Sequence, residues 1–409
     1  MIEPRLRFKA DDGSDFPDWE EKTLGELGTF TKGAALSKAD ISDEGNPLIL
    51  YGELYTTYKE VAYEVKRKTQ AIVDKIYYSN VGDVLIPTSG ESAEEISTAT
   101  CVMVPNVILA GDLNIFRSTV IDGRIMSYIL NYQAKRKIAT IAQGKSIVHI
   151  QAKQLGKIFV EYPVDKDEQQ KIADFLSTID TIIEKQRATV SAWEERKKGV
   201  MQKLFSQEIR FKADDGSDFP DWEEKKIGDV CSYRRGSFPQ PYGLEEWYDE
   251  DNGKPFIQVA DVNDNMRVSA DTKRHISKLA EDKSVFVHKG TLIITLQGTI
   301  GRVAITEYDA YVDRTLLIVQ DISKCLYIDY LKLAMQLLFA LEKRKADGGI
   351  IKTITKETLT NFSFGVPSLP EQQKIADCLS ALDAVIEKQK ETLEKWQELK
   401  KGLLQQMFV

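Results

Sequence analysis

From Glu168 to Phe205 one stripe recurs at steps of four and three: Ile172, Leu176, Ile179, Ile183, Gln186, Val190, Trp193, Lys197, Val200 and Leu204. The stretch contains no proline, and its only glycine is Gly199. The same stripe returns as Ile375, Leu379, Leu382, Ile386, Gln389, Leu393, Trp396, Lys400, Leu403 and Met407. A repeat of about 3.5 residues held this long predicts a coiled coil. Each stripe carries one Gln and one Lys, and polar seam residues fix register at some cost in stability. Packing of each helix on its own module alone is the plainer alternative, but matched interruptions favour mutual pairing. If a pseudo-twofold axis relates the copies, the helices run antiparallel, each about 57 Å long at about 1.5 Å per residue.

Between the stripes the pattern changes period. "PLILYGELY", "GDVLIP" and "TATCVMV" in the first half are short, β-branched runs beside Gly or Pro, as are "PFIQVADV", "TLIITLQG", "RVAITEY" and "TLLIVQ" in the second. One helix-like stretch accompanies each set, near Ile125–Lys137 and Tyr327–Lys345. The fold class read from this is α+β: two β-rich modules in tandem, each followed by a long helix.

The halves are copies in their frame. "RFKADDGSDFPDWEEK" runs from Arg7 to Lys22 and again, letter for letter, from Arg210 to Lys225. "EQQKIADFLSTID" (Glu168–Asp180) returns at the same offset as "EQQKIADCLSALD" (Glu371–Asp383). The interiors diverge, with only weak echoes such as "GNPLILYGEL" against "GKPFIQVADV". The expected division is a repeat segment (1–22), a variable module (23–164), a helix (165–206), the repeated segment (207–225), a second module (226–367) and a second helix (368–409). Repeats of about 20–50 residues mark solenoids, so this long unit is a duplicated domain-plus-helix instead.

Composition narrows the class. The chain has 409 residues, 42% hydrophobic and 29% charged, as ordinary globular proteins do. No run reaches the roughly 18 apolar residues of a membrane span, and the charged start lacks a signal-peptide core. Four scattered cysteines and three scattered histidines offer no metal-ligand spacing, and a reduced cytoplasmic setting is expected. No P-loop, GxSxG, H-E-x-x-H or CxxC is present, so a non-catalytic chain without a cofactor or metal of its own is expected.

The net charge of −8 argues against broad phosphate binding. Its distribution is uneven, however. Lys135, Arg136, Lys137, Lys145, Lys153 and Lys157 fall between Asn131 and Lys157 without one acid, and "KRKADGGIIKTITK" (Lys343–Lys356) holds the matching place in the second module. Glycine loops with polar or aromatic neighbours supply further candidates for DNA contact. In the first module these are Lys32, Lys38, Tyr51, Tyr55, Ser89, Gly90, Gln143, Gly144, Lys145 and Ser146. In the second they are Arg234, Arg235, Ser237, Gln297, Gly298, Thr299, Arg302, Lys343, Arg344, Gly348 and Lys352. Arginine reads guanine bidentately and Gln or Asn reads adenine, which singles out Arg234, Arg235, Gln297 and Arg302.

The two "EQQKIAD" helix starts after "EYPVDKD" and "GVPSLP", and the order module, helix, module, helix, resemble the DNA-specificity subunit of type I restriction–modification systems over nearly the whole chain. "GDVLIPTSGE", "GDLNIF" and "QGKSIVHI" are similar to pieces of one common target-recognition domain, "GTIGRVAI" and "YVDRTLLI" to pieces of another. The resemblance implies two target-recognition domains that each read half of a split double-stranded DNA target. It implies helices that set the gap and recruit two modification (adenine methyltransferase) subunits, with motor–nuclease restriction subunits completing the complex. S-adenosylmethionine, ATP and Mg would then be bound by partners, and the Gly90, Gly144, Gly298 and Gly348 loops would face DNA. "DGGIIK" departs from "QGKSIV", so the Gln and Ser of that loop carry over only to Gln143 and Ser146. A non-catalytic coiled-coil scaffold with two protein-binding modules, and a self-sufficient nuclease or methyltransferase, are the competing readings.

Overall fold

A computed structural model describes residues 4–144, 147–345 and 356–408. The chain forms two compact units. One comprises Met1–Val190 with Gln389–Val409, the other Ser191–Lys388. Each unit therefore takes one module, the first part of the helix that follows it, and the last part of the other long helix.

In the first unit Asp83–Pro87 is the middle strand of five, ordered Thr29–Lys32, Leu113–Arg117, Asp83–Pro87, Thr100–Val102, Val61–Ala62. Successive side chains of a strand point to opposite faces. Val84 and Ile86 accordingly enter one core with Phe116 and Tyr128, while Leu85 enters a second with Ile49, Leu109 and Ile115. That two-sided burial is why the strand reads as an unbroken apolar run. The second unit repeats the device: Leu292 and Ile294 face one core, Ile293 the other. In both units a second sheet contains a parallel pair, Asn46–Leu50 with Ile108–Ala110 and Lys254–Ile257 with Ala310–Val312.

The duplicated opening stretch locks each module to its helix. Glu20–Thr23 pairs with Phe159–Tyr162, and Glu223–Lys226 with Ser363–Val366. Arg7 donates to both oxygens of the buried Glu168 at 3.0 Å, and Trp19 Nε1 adds a third bond at 3.3 Å. Arg210 and Trp222 do the same to Glu371, at 2.8 to 3.1 Å. The next residue staples the helix to the module. Gln169 accepts from Asp122 N at 2.8 Å and donates to Pro163 O at 2.8 Å. Gln372 accepts from Tyr327 N and donates to Pro367 O, both at 2.8 Å. "EQQ" is thus a pair of buried, fully used polar groups, as buried polar side chains require.

The long helices are Lys166–Phe205 and Leu369–Phe408. Within the first unit Ile172, Leu176, Ile179 and Ile183 are buried, and Ile172 and Leu176 share a core with Leu404, Met407 and Phe408. Gln186 meets Gln389, while the earlier Asp180 meets the later Lys400 at 2.6 Å, so the two segments run antiparallel. Within the second unit Ile375 and Leu379 share a core with Leu204, Ile386 is buried and Leu382 half-buried. Lys197 meets Asp383 there at 2.6 Å. Trp193 in the second unit and Trp396 in the first are half-buried.

Two expected elements differ. The helix expected near Ile125–Lys137 is three pieces: an α-turn at Gly123–Tyr128, a π-segment at Ile129–Gln133 and an α-helix at Lys135–Ile141. Asn131 explains the break, because its side chain pairs with both backbone groups of Ala99 and with Ser127 O. A side chain drawn into the backbone ladder in this way widens the helix. The run "PLILYGELY" stops being strand at Leu50, where the Glu53 carboxylate caps Leu50 N at 3.0 Å and starts the helical turn Glu53–Thr56.

Candidate nucleic-acid interface

In the first unit the separate glycine loops converge at the ends of the parallel pair. Leu50 lies beside Ala110, so Tyr51 and Gly111–Asp112 emerge together. A side chain at Gly111 would touch the Tyr51 ring, and Tyr51 stands edge-on to Tyr55 at 6.4 Å. Tyr55 Oη donates to Ser89 O at 2.8 Å, and Ser89 Oγ donates to Asp112 at 2.7 Å. Ser89–Gly90 then pairs with Val148–His149, whose partner across the loop is Gln143 at 2.8 Å. One surface therefore gathers Tyr51, Tyr55, Gly90, Asp112, Gln143 and His149. Below it the buried oxygens Thr31 Oγ1, Thr88 Oγ1 and Asn114 Oδ1 have no hydrogen-bond partner among the described residues. Each such buried group costs about 1–3 kcal/mol, a cost a polar ligand or water would relieve.

Gly144 closes this loop. Its φ is +142°, and a Cβ there would lie 1.9 Å from Ile147 O, so only glycine fits. Burial raises the Tyr55 hydroxyl well above the usual tyrosine range, with Glu95, Tyr51 and Asp112 adding to it. It is a neutral phenol at any working pH.

In the second unit Ile257 lies beside Val312, so Gln258 and Asp313–Arg314 emerge together. Gly236 N bonds Leu316 O at 3.1 Å, and Ser237 N bonds Val312 O at 3.0 Å, which brings Arg234, Arg235 and Ser237 alongside. Leu296 N bonds Thr315 O at 2.9 Å and draws in the loop of Gln297, Gly298 and Thr299. Thr295 Oγ1 bonds Thr299 O, which tightens that loop on itself.

Several expected contact residues serve the framework. Ser89 is buried against Asp112, and Tyr55 Oη is turned inward. Arg302 donates to Val262 O at 2.6 Å and pairs with Asp264. These three position loops; their hydrogen-bonding groups are already engaged. Lys32, Lys38, Tyr51, Gln143, Gly144, Arg234, Arg235, Gln297 and Gly298 are open or partly open to solvent, as are Lys343 and Ser237. Lys145, Ser146, Gly348 and Lys352, and the side chain of Arg344, lie outside the described residues.

The basic run of the first module divides. Lys137 donates to Phe159 O at 2.9 Å and lines, with Lys157 and Glu21, a cleft of about 430 Å³ beside the small closing sheet. Sequence reasoning missed Asp112, His149, Gln258 and Arg314. "GDLNIF" and "YVDRTLLI" contained two of them, but the strand ends that expose them are fixed only by pairing. Among the described residues there is no cluster of three metal-ligating side chains, and Cys101, Cys231, Cys325 and Cys378 are all free.

A charged seat joins helix and module in the first unit. Lys400 Nζ lies 2.6 Å from Asp180 and 2.8 Å from Glu60, all three shielded from solvent. Tyr128 donates to Asp180 at 2.5 Å, and Tyr132 donates to Glu60. Burial works against the Lys400 charge, but Glu60 and Asp180 outweigh it and raise its pKa above the ordinary lysine range.

The model for the type I restriction modification DNA specificity domain matches residues 17–190 and again 220–395. The chain is 26% identical over 422 residues to the type I restriction enzyme MjaVIII specificity subunit of Methanocaldococcus jannaschii, covering 95% of this chain and 92% of that one. Its fold is similar to the crystal structure of the type I restriction–modification S subunit from M. genitalium, with TM-score 0.63, 15% identity, and 100% and 99% of the two chains covered. A chain solved in work on complex assembly and conformational transition of the type I R-M system aligns with TM-score 0.55 and 17% identity, covering 96% and 98%.

Proposed function

We propose, for a chain that belongs to the family of type I restriction–modification DNA specificity subunits, that its two units each read one half of a bipartite double-stranded DNA target. One observation carries this reading: two frames with the same locks, Arg7–Glu168 and Arg210–Glu371, present different side chains at the same strand ends. A duplicated frame with divergent tips suits two readers of different sequence, since phosphate contacts position a protein and base contacts specify.

On this reading the loops around Tyr51, Gly90 and Gly144 take one half-site and those around Arg234, Gln297 and Gly298 the other. The long helices set the unread gap and offer the surface that two modification subunits engage, with restriction subunits added to that core. Adenine methylation is the partner's chemistry and requires the base to leave the duplex stack. S-adenosylmethionine, ATP and Mg belong to those partners, and this chain supplies aim alone. Its place of action is the cytoplasm, where the genome is.

Co-expression with the modification subunit in a methylation-free host, followed by genome-wide mapping of methyladenine, tests the reading. A motif of two short halves around a fixed gap is the expected result. An assembled complex that leaves no methylation at a split motif contradicts it.

A further inference from the structure

The second unit holds an arginine whose support is better than its work in the fold explains. Arg314 follows the parallel pair that ends at Ile257 and Val312, is exposed, and lies 5.2 Å from the ring centroid of Tyr242. Gln258, leaving the neighbouring strand, donates to Tyr242 Oη at 2.7 Å. Tyr242 packs on Phe238 at 5.2 Å, and Phe238 on the buried Phe256 at 4.7 Å. A planar, permanently charged fork thus rests on a ring that is itself anchored to the core.

The other arginines of this surface are placed differently. Arg302 is engaged by Val262 O and Asp264. Arg274 stacks on Tyr248 at 3.7 Å but is paired with Glu250 at 2.6 Å. Arg234 and Arg235 lie on the outer strand of their sheet. Arg314 has an aromatic platform and, among the described residues, no carboxylate in ion-pair reach. Beside it in the chain Asp313 is buried; its Oδ1 accepts from Thr315 N at 3.0 Å, while Oδ2 has no partner among the described residues. Burial, then Asp313 and Tyr248, push the Tyr242 hydroxyl up to about 12, so the platform stays neutral at working pH.

In the first unit Ala34 N bonds Leu109 O and Thr88 N bonds Asp112 O, as Ser237 N bonds Val312 O and Leu296 N bonds Thr315 O in the second, so the equivalent of Arg314 is Gly111. The same point of the fold therefore carries no side chain in one unit and an arginine in the other, a difference that suits readers of two different half-sites.

We infer that Arg314 is the base-reading residue of the second unit, donating both guanidinium arms to O6 and N7 of a guanine in the major groove, with Tyr242 and Gln258 as its positioning residues. The inference rests on the DNA-reading function proposed above. A bidentate arginine–guanine pair discriminates by about tenfold to hundredfold against other bases.

The test is the methyladenine map of the full complex carrying wild-type chain, Arg314→Lys, Arg314→Ala, Tyr242→Leu or Tyr242→Phe. Arg314→Lys keeps the charge but loses the fork. It is expected to relax one guanine position in one half of the motif by about tenfold or more, leaving the other half and the gap unchanged. Tyr242→Leu is expected to relax the same position partly, and Tyr242→Phe, which keeps the ring, to restore most of it. An unchanged motif with both Arg314 variants overturns the assignment while leaving the proposed function standing. So does loss of methylation in Arg314→Ala with a wild-type motif in Arg314→Lys, which marks a phosphate contact. A wild-type complex with no split motif overturns the function itself.

Discussion

Gln186 donates its side-chain amide to both oxygens of Gln389, the backbone carbonyl at 2.9 Å and the side chain at 2.8 Å. The two are the same position of the duplicated frame, so the one glutamine of each stripe finds its partner in the other copy. Replacing Gln186 alone with Leu strands a half-buried amide and is expected to cost about 1–3 kcal/mol. Replacing both with Leu is expected to recover most of that loss, since an apolar pair suits the seam. Chemical denaturation of the two single variants and the double measures it; a double variant as unstable as the sum of the singles contradicts the pairing.

Glu168 and Glu371 are wholly buried and depend on one arginine and one tryptophan each. Removing Arg7 or Arg210 leaves a buried carboxylate unpaired, with an expected cost of about 3–5 kcal/mol in its own unit. Hydrogen exchange should show Arg7→Ala loosening residues of the first unit and Arg210→Ala those of the second. Equal loosening of both by either variant would refute the locks as local devices.

Much of this frame was legible in the chain before any coordinates. The four-three stripe named the seam, because Ile172, Leu176, Ile375 and Leu379 recur at its spacing and are buried. The run Asp83–Pro87 announced a strand, while the two cores that bury both its faces come from elements distant in sequence. The π-segment at Ile129–Gln133 was hidden, since only the pairing of Asn131 with Ala99 creates it. The site was less legible for the same reason. Tyr51 and Gly111–Asp112 leave their strands side by side, as do Gln258 and Asp313–Arg314, only because two parallel strands distant in sequence end together. Arg314 sits just before the run "TLLIVQ", outside any glycine loop, and only the strand ending at Val312 brings it to the surface of the site.

Glu60 looks like a surface charge within "YKEVAY", yet it completes the seat of Lys400. Lys400→Met removes the cation and leaves two shielded carboxylates facing each other, an expected cost of about 3–5 kcal/mol. Adding Glu60→Gln should return part of it by removing one of those charges. Thermal unfolding of both variants decides; a double variant no better than the single would show that Glu60 is not coupled to Lys400.

Gly144→Ala places a Cβ 1.9 Å from Ile147 O in a backbone at φ +142°. The loop must shift, at an expected cost of about 1–3 kcal/mol confined to it. Duplex competition should show weakened discrimination in the half-site of the first unit and none lost in the other. Discrimination lost equally in both halves would contradict separate readers.

Replacing residues 23–164 with a second copy of 226–367 tests separate reading most directly, because both frames with their matching locks are retained. The account predicts a methyladenine map with a motif whose two halves are both the second unit's half-site, at the original gap. A motif in which neither half matches that half-site, from an assembled and methylating complex, would contradict it.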